Sequence, residues 1–244
     1  MPVLKLVKAS LVFIDPPFGF NVESWDTPEH IWPSDYWFEV LSSLQAYLKD
    51  AAAVVVFGDC FNVLPRLLEG VKRFNDYADQ TQQPRFIPPI QICFQKLNHP
   101  HKSGNGYSQS IENAFVFHYK ESPRVKSLDF EISGNLLSST RVTGPRRIKN
   151  EKGEWINPCQ KPHIWLKYFI QNNTTSESVV LDLTAGSFSS FLACFHSTHT
   201  LHWAGCDIGP DTLKNFDFLQ KCIDAEELEE YFAGKSRFSI NFNF

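Results

Sequence analysis

Asp15 closes an apolar run, residues 11–14, and is followed at once by Pro16, Pro17 and Phe18. Paired prolines hold the backbone extended and withdraw two amide donors. They leave a face of acceptors, the Asp15 carboxylate and the Pro16 carbonyl, with an aromatic ring beside it. Such a face suits a planar group carrying an exocyclic NH2, which donates two hydrogen bonds and offers a π surface for stacking. A proline turn closing a strand is the plain alternative, and the motif alone leaves both readings open.

A second stretch, "VLDLTAGSFSS" at residues 180–190, joins an apolar run to a helical pattern through small residues. Asp182, Thr184, Ala185, Gly186 and Ser187 let the backbone come close to a ligand, and the start of the following helix favours an anionic group. Downstream, "HWAGCDIG" places Asp207 after the next apolar segment, where an acid can accept hydrogen bonds from ribose hydroxyls. One glycine between strand and helix is as often a structural turn, and an acid after a strand is often a cap.

The elements that must position these groups follow from apolar spacing. From Ser34, a candidate N-cap, Trp37, Val40, Leu41, Leu44 and Leu48 recur at helical intervals. "AAVVVF" at 52–57 is a buried strand, ended by Gly58 and Asp59; Asp59 reads best as a helix cap. Residues 61–74 have a helical pattern despite Pro65, and the polar residues 77–86 read as a loop. "IQICFQK" at 90–96 and "NAFVFHY" at 113–119 are two further strands, joined by a Gly-, His- and Asn-rich stretch. Residues 121–157 lose periodicity and collect Arg141, Arg146, Arg147, Lys149 and Lys152. A helix follows with Pro162 in its first turn, then a strand at 178–183, a helical stretch at 188–195 and a strand at 201–208. The acidic residues 224–234 suit a surface helix, and the alternating Phe238, Ile240, Phe242 and Phe244 suit an edge strand. Strands alternating with helices predict a doubly wound, mostly parallel α/β sheet in one domain over 1–244.

Composition narrows the function. At 244 residues with 43% hydrophobic and 20% charged, the chain can bury a substantial core, rich in its 22 phenylalanines. A net charge of −4 argues against a strongly basic nucleic-acid coat, so any such contact must use local patches. The six cysteines include no C-x-x-C pair and no histidine at zinc spacing, which predicts reduced thiols, no metal site and an intracellular setting, cytoplasmic or, in a eukaryote, nuclear. No apolar run is long enough to span a bilayer, so no membrane partner is expected.

Taken together, "DPPFGFNVESWD", "ICFQKLNHPHKSGNGYSQSIENAFVF", "NPCQKPHIWLKYFI" and "VVLDLTAGSFSSFLAC...HWAGCDI" stand in a recognisable order. In that order the sequence resembles the beta-class amino-methyltransferases of DNA, whose catalytic motif precedes the cofactor motif. The resemblance implies a Rossmann-like fold using S-adenosylmethionine, with Asp15, Pro16, Pro17 and Phe18 holding a target amine in a flipped base. It implies that Asp182, Thr184, Ala185, Gly186 and Ser187 wrap the methionine part of the cofactor, that Asp207 holds the ribose, and that Gln160, Lys161 and Pro162 border the pocket. Lys96, His101 and Lys102 fall in a stretch matching a region near the base and the DNA backbone. Arg141, Arg146 and Arg147 fall in 121–157, the position of a target-recognition insertion.

The implied activity is transfer of methyl to the adenine N6 amine of DNA, as in restriction-modification; a cytosine-N4 or RNA substrate, and a homodimer or partner subunit, are left open. Three positions depart from the family pattern. Phe18 stands where Tyr or Trp is usual, Leu183-Thr184 where Pro-Phe is usual, and Phe188 where a second Gly is common. The Phe188 ring either narrows the cofactor pocket or turns into the core. The first outcome would favour an inactive, nucleic-acid-binding subunit.

Overall fold

A computed structural model describes residues 8–97, 111–121, 136–139, 148–157, 159–209 and 211–224. The chain runs β1 (Ala9–Ile14), α1 (Ser34–Leu44), β2 (Leu48–Gly58), α2 (Val63–Thr81), β3 (Ile90–Lys96), β4 (Ile111–His118), β5 (Leu136–Ser139), α3 (His163–Asn173), β6 (Ser178–Asp182), α4 (Ser189–Phe195), β7 (Leu201–Gly205) and α5 (Thr212–Asp224). The seven strands form one sheet in the order β5-β3-β4-β2-β1-β6-β7. Only β4 runs against the rest, pairing antiparallel with both β2 and β3.

Helices cover both faces. Val12 and Ile14 of β1 pack with Val54 and Val56 of β2 against Trp37 and Leu41 of α1 and Leu67 and Phe74 of α2. Leu11 and Phe13 point the other way, with Val55 and Phe57, onto Trp165, Leu166 and Phe169 of α3. A strand buried on both faces must be apolar at every position, which is why β1 and β2 read as continuous runs rather than alternations. The chain leaves β1 toward β2 on one side, while β6 and β7 build outward on the other. The β1/β6 seam is therefore the switch point of the sheet, where crossovers part and a crevice opens at the strands' carboxyl ends.

Several expected boundaries move. Helix α2 continues through Thr81 before Gln82 turns left-handed at φ 54°, so residues 77–81 are helical rather than loop. Tyr77 and Ala78 continue the apolar face of α2, and the buried Ala78 carries that packing into the last turn. Helix α1 stops at Leu44, since Leu48 already belongs to β2, and Pro33 rather than Ser34 is its N-cap residue. Pro162 likewise sits at the cap of α3, just ahead of its first turn. Strand β7 ends at Gly205, two residues before Asp207. Within the expected recognition insertion, Leu136–Ser139 joins the main sheet as its edge strand beside β3. The expected acidic helix and terminal strand lie outside the described residues.

Candidate active site

The register of the central strands builds the site. Phe13 pairs with Asp182 across the β1/β6 seam, so the residues after each strand emerge side by side. The Asp15 amide donates to Thr184 Oγ1 at 2.6 Å, across 169 residues of sequence, and the Leu183 amide to the Phe13 carbonyl at 3.0 Å. The acid-proline motif and the small-residue loop thus meet at one cleft, open to solvent. Asp15, Asn157, Gln160, Lys161, Asp182 and the segment 184–187 line it.

The loop after β6 is held by its own acids. Asp182 is buried; its carboxylate accepts from the Ser190 hydroxyl and, at 3.0 Å, from the Thr184 amide. Trp203 Nε1 donates to Ser190 Oγ at 3.0 Å, fixing that hydroxyl in turn. Asp207 Oδ2 accepts from the Gly186 amide at 2.9 Å and Oδ1 from the Gly209 amide at 2.8 Å. Gly186 has φ 47°, a conformation strained for a residue with a side chain, and a Cβ there would meet Asn157 Nδ2 at 2.7 Å and displace it. The Gln160 side-chain oxygen accepts from the Ile148 amide at 2.8 Å.

Burial raises the Asp182 carboxyl to about 7, against opposing hydrogen bonds from Ser190 and Thr184. The folded chain then binds this proton more tightly than the unfolded one. Its stabilising contribution is complete below the ordinary carboxylate range and is lost as pH rises toward 7. Unfolding free energy should fall over that window by at most about 4 kcal/mol from this group. Denaturant midpoints at pH 5 and pH 8 check this, because Asp182→Asn should flatten the difference; an equal pH slope in both proteins would refute it.

Asp15 is clamped from a direction that the sequence reading did not anticipate. Lys161 Nζ lies 2.7 Å from Asp15 Oδ2 and 3.8 Å from Glu112 Oε2, while Lys96 pairs with Glu112 Oε1. The same ammonium sits 5.1 Å from the Phe18 ring centroid and 5.3 Å from that of Phe57. Burial pushes the Asp15 carboxyl upward, and Lys161 offsets this only in part. Although burial opposes its charge, Lys161 is held above its ordinary value by Asp15 and Glu112.

Asp26 also escaped notice. Buried at 4% exposure, its carboxylate accepts from four loop amides: Phe18 at 2.6 Å, Gly19 at 2.9 Å, Phe20 at 3.2 Å and Val22 at 3.4 Å. Gly19 and Asn21 supply the positive φ that turns those amides inward. An acid a few residues beyond a Gly- and Asn-containing loop is the one local signal that could have found it. Asp59 sits ahead of the α2 N-cap, which is Asn62; its carboxylate accepts from the Phe61 and Asn62 amides at 2.6 Å each and from the Val63 amide, the first of the helix, at 3.3 Å. The neighbouring Asn62 Nδ2 donates to the Phe18 carbonyl at 3.1 Å.

Of the expected site residues, Asp15, Gln160, Lys161, Asp182, Thr184, Ala185, Gly186 and Ser187 line the cleft. Asp207 stands one hydrogen bond behind it. Pro16, Pro17 and Phe18 lead away from Asp15 into the loop tied by Asp26, and Pro162 is the cap residue ahead of α3. Lys96 commits its ammonium to Glu112. His101, Lys102, Arg141, Arg146 and Arg147 lie outside the described residues. The ring of Phe188 turns into the core rather than toward the cleft. It is 2% exposed among Ile148, Ala185, Leu192 and Leu219, with its centroid 5.3 Å from that of Phe216. Among the described residues no cluster of His, Cys, Asp and Glu could hold a metal ion, and no helix is long and apolar enough to cross a membrane.

A parallel sheet with one reversed strand, carrying an acid-proline motif and a glycine loop at its switch point, defines the Rossmann-like methyltransferase class. The model of the DNA methylase family (N6_N4_Mtase) matches residues 9–216, and the chain belongs to that family. No curated protein matches in sequence. The fold is similar to that of the PvuII DNA methyltransferase (cytosine-N4-specific), with a TM-score of 0.60, 17% identity, and 88% of this chain and 81% of that one covered. It is similar to M1.HpyAVI in complex with SAM, with a TM-score of 0.55, 18% identity, and 88% and 89% covered. It is similar, too, to TTHA0409 from Thermus thermophilus, a putative DNA modification methylase complexed with S-adenosyl-L-methionine, at a TM-score of 0.52, 15% identity, and 92% and 90% covered.

Proposed function

We propose that this protein transfers methyl from S-adenosylmethionine to the exocyclic N6 amine of adenine in DNA, acting on a base turned out of the duplex. The observation that carries this reading is the 2.6 Å bond from the Asp15 amide to Thr184, which opens the acceptor motif and the glycine loop onto one cleft. The donor set suits the cofactor, since a buried acid, Asp182, faces a space that a zwitterionic sulfonium would fill. In this reading Asp182, Thr184, Ala185, Gly186, Ser187 and Gln160 hold the methionine portion. Asp207 keeps a second lone pair on each oxygen for ribose hydroxyls. When bound, the cofactor supplies an electrophilic methyl group on sulfur.

The chain's own residues prepare the nucleophile. An adenine amine is weakly nucleophilic because its lone pair is delocalised into the ring. Hydrogen bonds from its two N–H groups to Asp15 and the Pro16 carbonyl draw the nitrogen toward tetrahedral geometry and free that pair. The same acceptors stabilise positive charge as it develops on nitrogen, an effect aimed at the transition state. One proton then leaves the nitrogen for solvent. Phe18 stacks on the extruded base, replacing part of the stacking lost from the duplex. The initial Asp of the motif supports adenine over cytosine, through the family resemblance.

Methyl-labelled cofactor incubated with duplex DNA, single-stranded DNA and RNA, followed by digestion to nucleosides, tests the proposal. N6-methyladenine from DNA is expected; N4-methylcytosine, or product from RNA alone, would replace the substrate assignment. Absence of both transfer and cofactor binding by calorimetry would refute the reading. Phe188→Ala separates it from an inactive subunit: the variant should lose about 3–5 kcal/mol of stability and bind cofactor within about threefold of wild type, whereas a blocking ring predicts much tighter binding once removed.

A further inference from the structure

We propose that Lys161 holds the place of the target amine on Asp15 and passes to Glu112 when a base enters, which makes Glu112 a positioning residue. The inference rests on the reading of Asp15 as the amine's acceptor. Lys161 Nζ stands 2.7 Å from Asp15 Oδ2 and 5.1 Å from the Phe18 centroid. It therefore occupies the same oxygen and the same ring face that an incoming NH2 and its base would use. The Asp15 carboxylate has lone pairs for more than one donor, but the ammonium and a stacked base cannot both lie against one face of the Phe18 ring, so the ammonium has to give way.

Where it goes is constrained by burial. The Lys161 side chain is only 11% exposed, and a buried cation released without a partner carries a heavy desolvation penalty. Glu112 Oε2 is 3.8 Å away, about 0.6 Å beyond the usual hydrogen-bonding range, and a change in side-chain torsions closes that gap with no movement of the backbone. Glu112 is itself kept in place: it pairs in register with Phe94 across β3 and β4, and its other oxygen is held by Lys96. Asp15, Glu112, Lys96 and Lys161 balance two negative charges against two positive ones, so the exchange creates no net buried charge. The Phe57 ring, 5.3 Å from Nζ, gives the cation a favourable surface on its way.

The exchange predicts coupling between two positions. Glu112→Gln keeps the shape and removes the receiving charge, so Lys161 should compete harder for Asp15. The KM for DNA should rise about tenfold, with fluorescence of a 2-aminopurine target falling in step, while cofactor affinity holds and the melting temperature drops because Lys96 loses its charged partner. In a Lys161→Met background there is no cation to receive, and Glu112→Gln should then alter the KM for DNA less than about twofold. A neutral Glu112→Gln, or an equal effect in both backgrounds, would overturn the exchange. If Glu112→Gln does not fold, Glu112→Asp retains the charge on a shorter stem and should raise the KM in the same direction. Asp15→Asn run alongside separates the two levels of the argument. Loss of transfer there with a neutral Glu112→Gln defeats the exchange alone, whereas wild-type transfer by Asp15→Asn defeats the acceptor reading as well.

Discussion

Asparagine at position 15 should lower methyl transfer at saturating cofactor and DNA by about 10²–10³-fold, the usual effect of removing one group aimed at transition-state charge. The substitution keeps size and one carbonyl oxygen but replaces the other acceptor with an NH2. That donor faces Lys161, 2.7 Å from Asp15 Oδ2 in the wild type, and would face the target amine with the wrong polarity. Cofactor affinity should stay within about threefold, because the loop after β6 contacts Asp15 through its backbone amide, which asparagine retains. Single-turnover transfer beside calorimetric titration of the cofactor separates these two quantities. Equal loss in both would mean that Asp15 shapes the pocket rather than receives the amine. Unaltered transfer would remove Asp15 from the mechanism.

The second large effect belongs to Asp26. Its buried carboxylate gathers the amides of Phe18, Gly19, Phe20 and Val22 from a loop whose outer residues are exposed. Hydrogen bonds to a charged acceptor contribute about 1.5–3 kcal/mol each, and amides left buried without a partner add a penalty. Since the four share one carboxylate and part of the loop can rehydrate, Asp26→Ala should destabilise the protein by about 3–5 kcal/mol in total. It should also lower kcat/KM by about 10², since Phe18 would lose the anchor that sets its ring beside Asp15. Asparagine, with one acceptor oxygen, should fall between Asp and Ala on both scales. Chemical denaturation and transfer kinetics over the three proteins give the ordering. An alanine variant with wild-type stability and activity would show that the prolines alone hold the motif.

The physical role of the loop acids explains why one was legible and the other was not. Asp15 stands out because prolines strip away competing donors and leave the acid conspicuous. Asp26 is an ordinary acid in a polar stretch, and its importance arises only when the chain curls back on it. Lys161 shows the same limit: its segment resembles one that borders a cofactor pocket, yet its ammonium lies on Asp15, 2.7 Å away. Glu112 ends the stretch 96–112 that the family resemblance sets near the base, but nothing there singles it out, since a glutamate opening a strand is as often solvated as engaged. The question about Phe188 was open in sequence because a ring following a small-residue loop can face either the cleft or the core; the aromatic cluster of Trp203 and Phe216 decides it.

By itself, the sequence determined the alternation of strands and helices, the two motifs and their order, and hence the class of fold. Those properties are local: apolar runs select buried strands, helical spacing selects amphipathic helices, and proline and glycine restrict the backbone wherever they occur. Only the tertiary structure decided that Asp15 meets Thr184, that Asp26 ties down the Phe18 loop, and that Lys161 lies between Asp15 and Glu112. These contacts depend on strand order and register, with β6 beside β1 despite the long intervening chain. Register comes from packing both faces of the sheet at once, a cooperative property that no short stretch of residues encodes.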